Sequence, residues 1–248
     1  LDTWYPRVVD TTHGGFSTRY DYKWELISPF PKVIVTQTRG VWAASKAAMR
    51  YPDEEKFKTA ARHGYEFLRD HAWDSEYGGF FQTVPVRKQA GADDHKTAYG
   101  NAFAIYALSA YHELTGSREA LDLAKTAFNW LDDHYHDPQY GGYFNYADRR
   151  GISFNNKEQF NAGGAPEESR ALATYKDYNS SIHLMEAFSA LYMQWPDPRV
   201  RDRLKEIFTI VRDTMCTSPG YLNMYFTEDW QHVSFRDSSR NFILNYSW

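Results

Sequence analysis

Asn179, His183 and Glu186 carry the clearest chemical signal in this sequence. They occupy positions i, i+4 and i+7 of the segment Asp177-Tyr-Asn-Ser-Ser-Ile-His-Leu-Met-Glu-Ala187, so a helix there would place all three on one face. Histidine gains and loses a proton near neutral pH, which suits it to general acid–base catalysis. The pattern favours a site in which His183 acts as acid or base. The alternative is that His183 is an ordinary core or surface histidine.

An arginine and a group of aromatic residues lie on two further predicted helices. Arg39 and Trp42 are three residues apart and share a helix face. A buried arginine needs a partner, so Arg39 forms either an ion pair between neighbouring helices or a contact with a substrate oxygen. Tyr99, Phe103 and Tyr106 follow at i, i+4 and i+7, a stripe that fits either a packed core or a ligand pocket.

A repeat along the chain indicates which elements position these side chains. The phrase Asp-x-x-x-Gly-Gly-aromatic occurs three times, and its first glycines are 64 and 63 residues apart. The copies are Asp10 to Phe16, Asp74 to Phe80 and Asp137 to Tyr143. A fixed period of this length indicates a supersecondary unit used repeatedly. We therefore predict one domain over 1–248, with helical hairpins at about 33–80, 96–144 and 175–226.

The two helices predicted in each hairpin differ in composition. The first is rich in alanine and other small residues and can pack closely on several sides, whereas the second is amphipathic with one polar face. Alternating inner and outer helices predict an all-α fold, an α/α toroid whose inner helices surround a central funnel. The predicted helices cover 33–50, 54–71, 96–114, 118–134, 175–195 and 199–215.

Local signals mark some of the element boundaries. Asp53 and Asp197 are predicted N-caps of the first and third outer helices, and Pro198 suits the first helical position. The stretch 147–174 is rich in glycine and asparagine, and we expect a long loop there, either a functional lid or a mobile connection.

Composition excludes several classes of function. The chain has 248 residues, 42% hydrophobic, with a net charge of −4, which argues against a nucleic-acid partner or an anionic membrane surface. The apolar runs are too short to cross a bilayer. Cys216 is the single cysteine, and no convincing metal-ligand spacing is present. We expect no metal and a cytoplasmic protein, with secretion or a periplasmic location left open.

The three helix phrases resemble the N-acylglucosamine 2-epimerase superfamily, and within it most closely the cellobiose 2-epimerases. The matching phrases are Gln37-Thr-Arg-Gly-Val-Trp42, Tyr99-Gly-Asn-Ala-Phe-Ala-Ile-Tyr-Ala-Leu108 and Asn179-Ser-Ser-Ile-His-Leu-Met-Glu-Ala-Phe188. The resemblance implies an (α/α)6 barrel of six hairpins. It also implies that this chain corresponds to roughly the first three-fifths of that barrel, so we expect an incomplete ring.

The resemblance further implies a cofactor-free sugar epimerase or aldose–ketose isomerase. In that family a histidine removes the proton at C2 of the opened sugar, an enediolate forms, and a second histidine returns a proton. His183 and Arg39 match family catalytic residues: Arg39 matches the arginine near the reacting oxygens, and His183 matches an inner-helix histidine that assists ring opening and proton transfer. Tyr99 and Asn179 match residues that line the sugar pocket. The predicted substrate-binding set is completed by residues in the same phrases: Trp42, Asn101 and Glu186.

The sequence departs from the family pattern in two places. Ser181 stands where the cellobiose group has a further histidine. The family's principal acid–base histidines, one in a Gly-His-Asp motif and one near the C-terminus, have no match here, and we do not assign His232 to either.

Two other functions are compatible with the sequence. An (α/α)6 glycoside hydrolase or lyase would need two carboxylates across the funnel, for which Glu186 and Asp177 are the candidates on inner helices. A non-catalytic sugar-binding protein is the other alternative. The expected partner is a monosaccharide or disaccharide, and a homodimer is left open.

Overall fold

The computed structural model describes residues 2–27, 30–86, 95–153, 173–218 and 220–233, together with the backbone of three short strands that follow. The helices are α1 (Ile34–Arg50), α2 (Glu55–Phe67), α3 (Ala98–Thr115), α4 (Arg118–Tyr135), α5 (Tyr178–Gln194) and α6 (Pro198–Ile210). α2 and α6 each continue into a π-helical turn, Leu68–Ala72 and Val211–Met215. The helices predicted from sequence are therefore confirmed to within a few residues.

Helical hairpins form the body of the described structure, as predicted. α1, α3 and α5 lie side by side as inner helices, and α2, α4 and α6 each pack against the inner helix that precedes them. Small side chains allow the inner helices to approach closely: Ala98, Ala102, Ala104 and Ala107 of α3 are all fully buried. The inner and outer layers of the toroid thus follow from the alanine content of one helix and the amphipathic pattern of the next.

Short strands precede and follow the helices in the described residues. They are β1 (Lys32–Val33), β2 (Thr83–Val84), β3 (Lys96–Thr97), β4 (Tyr146–Ala147), β5 (Lys176–Asp177), β6 (Cys216–Thr217), β7 (Tyr221–Asn223), β8 (Tyr225–Phe226), β9 (His232–Val233), β10 (Arg236–Asp237), β11 (Phe242–Ile243) and β12 (Tyr246–Ser247). β1, β3 and β5 each lead directly into an inner helix, and they pair antiparallel with β2, β4 and β8 respectively. Each leading strand therefore pairs with a segment that follows the hairpin into which it leads.

The three Gly-Gly turns have the same hydrogen-bond pattern. In the first, Asp10 Oδ1 accepts from the amides of Thr12 and His13, while its backbone pairs with both glycines. Asp74 and Asp137 repeat this arrangement. The glycines adopt positive φ, from 62° at Gly15 to 76° at Gly14 in the first turn, a conformation that disfavours residues with a Cβ atom.

A buried lysine holds each turn, which the sequence analysis did not predict. Lys32, Lys96 and Lys176 are the first residues of the three leading strands, and their Nζ atoms lie 2.7, 2.9 and 2.6 Å from a carboxylate oxygen of Asp10, Asp74 and Asp137. Each lysine also donates to a turn carbonyl. We call these three pairs the Lys–Asp clasps. They join the turn to the start of the inner helix.

Electrostatics within the clasps favour ionised aspartates. Burial of Asp10 opposes ionisation, but the ammonium of Lys32 and the amides of the turn outweigh burial and lower the pKa of Asp10 to about 2. The pKa of Asp137 is lowered by the same balance, with Lys176 as the cation. At Asp74 burial is again outweighed, here by the guanidinium of Arg149 together with the ammonium of Lys96 and the amide of Glu76, so its pKa is lowered as well. A buried ion pair of this kind contributes to stability only because hydrogen bonds satisfy both partners.

Of the two predicted N-caps, one is confirmed and the other is wrong. Asp197 accepts a hydrogen bond from the amide of Arg199 at 2.8 Å, with Pro198 in the first turn, as predicted. The Asp53 prediction is wrong, because α2 begins at Glu55 with Glu54 at the cap position and no side-chain cap hydrogen bond. Most of the predicted 147–174 loop, residues 154–172, lies outside the described residues.

Across the part of the chain that the structure describes, none of the helices combines the length and apolarity required to traverse a bilayer.

Candidate functional site

The candidate site is formed by equivalent positions of the three inner helices. Arg39, Phe103 and His183 are each the sixth residue of their helix. One turn further along, Trp42, Tyr106 and Glu186 are each the ninth. Because the inner helices are parallel and in register, these six residues form two rows. We call them the upper row (Arg39, Phe103, His183) and the lower row (Trp42, Tyr106, Glu186).

Both rows face one open cavity of about 370 Å³, which Thr38 and Ala43 also line. The structure thus brings together four residues that the sequence predicted as site residues, His183, Arg39, Trp42 and Glu186, from two helices that are far apart in sequence. A cavity of this size, lined by aromatic and charged groups, has the character of a small-molecule site.

His183 and Glu186 form a hydrogen-bonded pair on α5. Nδ1 of His183 lies 2.7 Å from Oε2 of Glu186, and the imidazole is 16% exposed while the carboxylate is 49% exposed. An ionised carboxylate only accepts hydrogen bonds, so Nδ1 carries the hydrogen and Nε2 is the basic nitrogen of the neutral ring. Glu186 therefore sets the tautomer of His183, as a carboxylate does for many histidines that act as acid or base.

Arg39 has no ion pair among the described residues. Its guanidinium carbon instead lies 4.6 Å from the ring centroid of Phe103, and the side chain is exposed to the cavity. Of the two interpretations of Arg39 from sequence, the ion pair that fastens neighbouring helices is therefore absent from the described part of the chain. The guanidinium lines the cavity, where its N–H groups can meet a ligand.

The aromatic stripe of α3 belongs both to the packed core and to the cavity wall, the two roles considered from the sequence. Phe103 is buried, and its ring centroid lies 4.5 Å from that of His183. Tyr99 packs in a T-shaped arrangement against both rings, with centroid distances of 5.0 Å to Phe103 and 5.2 Å to His183. Tyr106 stacks on Trp42 at 5.5 Å with an interplanar angle of 27°. Burial raises the pKa of Tyr106, and the nearby Glu186 raises it further, so its phenol stays protonated.

Three predicted substrate-binding residues lie outside the cavity lining: Tyr99, Asn101 and Asn179. Asn101 is fully buried, accepts from the amide of Phe80 at 2.8 Å and donates to the carbonyl of Thr97 at 2.9 Å. Its polar atoms are used to hold the second Gly-Gly turn, so we correct its assignment to a structural one. Asn179 lies one turn before His183 with an exposed side chain and does not line the cavity.

Asp177 is buried and caps α5. Its carboxylate accepts from the amide and the hydroxyl of Ser180, each at 2.7 Å, and burial raises its pKa. Asp177 is not among the residues that line the cavity. The glycoside hydrolase alternative required Asp177 and Glu186 to face each other across the funnel, and only Glu186 faces it.

Phe103 and Tyr106 belong to the aromatic stripe identified from sequence but not to the predicted site residues. The signal that could have found them is the repeat itself: Phe103 stands 64 residues after Arg39, the spacing between the first two Gly-Gly turns. Superposing the repeats in sequence would have aligned Arg39 with Phe103 and Trp42 with Tyr106.

Comparison with known proteins gives a consistent picture. The family model described as N-acylglucosamine 2-epimerase (GlcNAc 2-epimerase) matches residues 14–244. A cellobiose 2-epimerase from Bacteroides fragilis is 30% identical over 232 residues, which are 93% of this chain and 57% of that protein. A D-mannose isomerase from Marinomonas mediterranea is 22% identical over 92% of this chain and 52% of that protein.

A solved structure agrees with this likeness. The cellobiose 2-epimerase from Spirochaeta thermophila superposes with a TM-score of 0.77 at 31% identity, covering 94% of this chain and 55% of that one. The chain therefore spans a little more than half the length of the relatives it matches.

Proposed function

Because this chain belongs to the N-acylglucosamine 2-epimerase family, we propose that its cavity binds the reducing-end sugar of a monosaccharide or disaccharide and that the protein acts as a C2 epimerase or aldose–ketose isomerase. The observation that carries the proposal is the His183–Glu186 pair next to an arginine without an ion pair among the described residues. A base and a cation in one cavity match what proton removal next to a carbonyl requires.

In the proposed reaction, the opened sugar presents its C1 carbonyl and its C2 hydrogen to the cavity. Nε2 of neutral His183 serves as a base or proton carrier, while Nδ1–H donates to Glu186. Removal of the C2 proton leaves its electron pair in the C1–C2 bond and negative charge on the sugar oxygens. Return of a proton to the other face of C2 gives the epimer, and return to C1 gives the ketose.

Arg39 provides the charge that this intermediate needs. Its guanidinium faces the cavity and has no carboxylate partner among the described residues, so its N–H groups can donate to the enediolate oxygens. Preorganised donors of this kind typically contribute about 10²- to 10³-fold in rate when a charged oxygen develops. No step of this scheme uses a metal or an organic cofactor.

The aromatic walls fit a carbohydrate. Trp42 and Tyr106 offer flat apolar surfaces for the C–H faces of a sugar ring, and the protonated phenol of Tyr106 and the carboxylate of Glu186 can pair with hydroxyl groups. We include Tyr99 in the proposed site because its ring packs against those of Phe103 and His183 and supports them. Asn179 stays a predicted sugar contact at the rim.

The experiment is solvent-exchange NMR on the product of the natural gene. The protein is incubated in D₂O with cellobiose, D-mannose or an N-acylglucosamine, and proton spectra follow new C2 epimers, ketoses and deuterium at C2. We expect exchange at C2 with at least one of these sugars. Sugar binding without any exchange or isomer would support a binding protein instead, and release of monosaccharides from cellobiose would support a hydrolase.

The homodimer and the cytoplasmic location suggested by the sequence remain predictions, which sedimentation and cell fractionation would test.

A further inference from the structure

We propose that Phe103 is a positioning residue of this site, whose ring orients the Arg39 guanidinium while leaving the guanidinium N–H groups for ligand oxygens. The consequence for turnover depends on the proposed function, whereas the orientation of Arg39 does not.

The argument begins with the contacts of Arg39. A guanidinium is usually held in place by a carboxylate, as Arg203 is by Asp132 at 2.8 Å. A carboxylate at Arg39 would occupy its donors and neutralise its charge. Within the described residues Arg39 has instead a single oriented contact, the face of Phe103 at 4.6 Å. Stacking on an aromatic face fixes the plane of a guanidinium and uses none of its hydrogen bonds.

Phe103 itself is rigidly placed. Its side chain is 6% exposed, on a helix that lies between α1 and α5. The edge of Tyr99 packs against its ring at an interplanar angle of 69°, and the imidazole of His183 lies against it at 42°. A well-packed ring with two flanking contacts can hold a flexible arginine at low entropic cost.

The same ring also separates the two groups of the upper row that carry positive charge. Arg39 is always charged, and His183 becomes charged when it accepts a proton. The π-face of phenylalanine carries partial negative charge and favours both cations, so Phe103 allows them to share one small cavity. An aliphatic side chain of similar size would fill the space without this effect.

The test uses substitutions at Phe103 that separate the effect of the aromatic ring from the effect of side-chain volume. Phe103→Leu and Phe103→Met remove the aromatic face, and Phe103→Tyr keeps it. Phe128→Leu is the matched control, because Phe128 is buried on an outer helix and carries Arg199 at 5.3 Å from its ring. NMR of the Arg39 Nε–Hε group reports its orientation through ring-current shift and order, without any need for turnover, and thermal unfolding reports stability.

We expect Phe103→Leu and Phe103→Met to remove the ring-current shift of Arg39 and lower its order, and Phe103→Tyr to retain both. If the protein turns over a sugar, the first two variants should lose about 3- to 30-fold in kcat/KM, mostly in kcat, as expected for a cation–π contact in a partly desolvated site. Phe128→Leu should lower the unfolding temperature but leave Arg39 unchanged.

An Arg39 signal that is the same in Phe103→Leu, Phe103→Met and the wild type would overturn the proposal, whether or not any sugar reacts. A changed Arg39 signal in a protein that exchanges no C2 hydrogen would instead overturn the proposed function and leave the positioning role standing.

Discussion

The turn end of each inner helix and the cavity region further along it differ in how they use the repeat. At the turn end the three copies are nearly the same: a lysine, an aspartate and two glycines recur with one geometry. In the upper row, two turns away along the same helices, the equivalent residues are an arginine, a phenylalanine and a histidine. The residues that stabilise the turns are therefore the same in each repeat, whereas the residues that line the cavity differ from one repeat to the next.

A smaller difference occurs between the turns themselves. Gln37 and Asn101 are equivalent residues of α1 and α3, and each accepts from the amide of the aromatic residue in its turn. The equivalent residue of α5 is Ser181, which is too short and bonds to the carbonyl of Asp177. The third turn is held from the outer helix instead, where Glu206 accepts from the amide of Gly142 at 2.7 Å. The helix that carries His183 therefore contributes less to its own turn.

The largest expected effect is a loss of turnover with little change in stability. His183→Ala should lower turnover about 10²- to 10⁴-fold, the usual contribution of a general acid or base, and change the free energy of unfolding by no more than about 1 kcal/mol. Steady-state kinetics and urea unfolding would measure the two. His112→Ala, which removes a histidine bonded to the carbonyl of Ser117, is the control and should leave turnover unchanged. Full turnover in His183→Ala would place the chemistry elsewhere.

Breaking a Lys–Asp clasp should have the opposite effect, a large loss of stability. Lys176→Met leaves the buried Asp137 carboxylate without its cation, which we expect to cost about 3–5 kcal/mol of the free energy of unfolding. Urea denaturation would measure the loss, and Lys176→Met with Asp137→Asn should recover part of it. Lys125→Met, at a partly exposed lysine of α4, is the control. A loss no larger than that of the control would show that the clasps do not stabilise the fold.

A glycine substitution tests the turn geometry. Gly79 has a φ of 73°, and an added Cβ would overlap the ring of Trp130. Gly79→Ala should therefore cost about 2–4 kcal/mol, the sum of a left-handed residue and displaced packing. Gly116→Ala shares the positive φ, at 70°, but a Cβ there meets open space, so only the backbone cost of about 1–2 kcal/mol applies. Equal losses in thermal unfolding would argue against the packing role of Trp130.

The difference between the amide anchors predicts a smaller effect. Asn101→Ala leaves the buried amide of Phe80 without a partner and should cost about 1–3 kcal/mol. Ser181→Ala removes only a hydroxyl bonded to the preceding turn of its own helix and should cost less than about 1 kcal/mol. Chemical denaturation of both variants would measure the difference. A Ser181→Ala variant as unstable as Asn101→Ala would show that Ser181 anchors its turn after all.

Acid should weaken the clasps gradually. An aspartate in the unfolded chain titrates near pH 3.9, whereas Asp10 in the folded protein has a pKa of about 2. The unfolded state therefore binds more protons in this interval, so the stability from Asp10 is present above about pH 4 and is lost as the pH falls towards 2. Burial raises the pKa of Asp177, which acts in the opposite direction, so the measurement compares unfolding of the wild type with Asp10→Asn. A flatter pH dependence in Asp10→Asn is expected, and identical slopes would contradict it.

Much of the fold could be predicted because it depends on local signals. The helices follow from hydrophobic period and alanine content, and the turns follow from a pair of glycines at a fixed spacing. His183, Arg39, Trp42 and Glu186 could be placed on faces of helices for the same reason. The Lys–Asp clasps could not, since the lysines lie far from their aspartates in sequence and a single lysine before a helix carries no pattern of its own.

The remaining differences in the site have similar causes. Asn101 was expected to contact a ligand because it stands in the same phrase as Tyr99, yet its side-chain amide bonds to the second Gly-Gly turn and to the preceding turn of its own helix. For Phe103 the sequence left two roles open, a core residue or a ligand contact, because an aromatic stripe alone fits both. Only the neighbouring helices show that its ring is buried and that Arg39 and His183 lie against it.

The pairing of the leading strands has a consequence for how the chain acquires its structure during synthesis. Val33 pairs with Thr83, Thr97 with Tyr146, and Asp177 with Tyr225, so the partner of each leading strand lies about fifty residues downstream. A nascent chain emerging from the ribosome cannot pair a leading strand until the whole hairpin and the turn after it have left the exit tunnel. Each hairpin should therefore gain its last stabilising contacts only when the turn that follows it has been made.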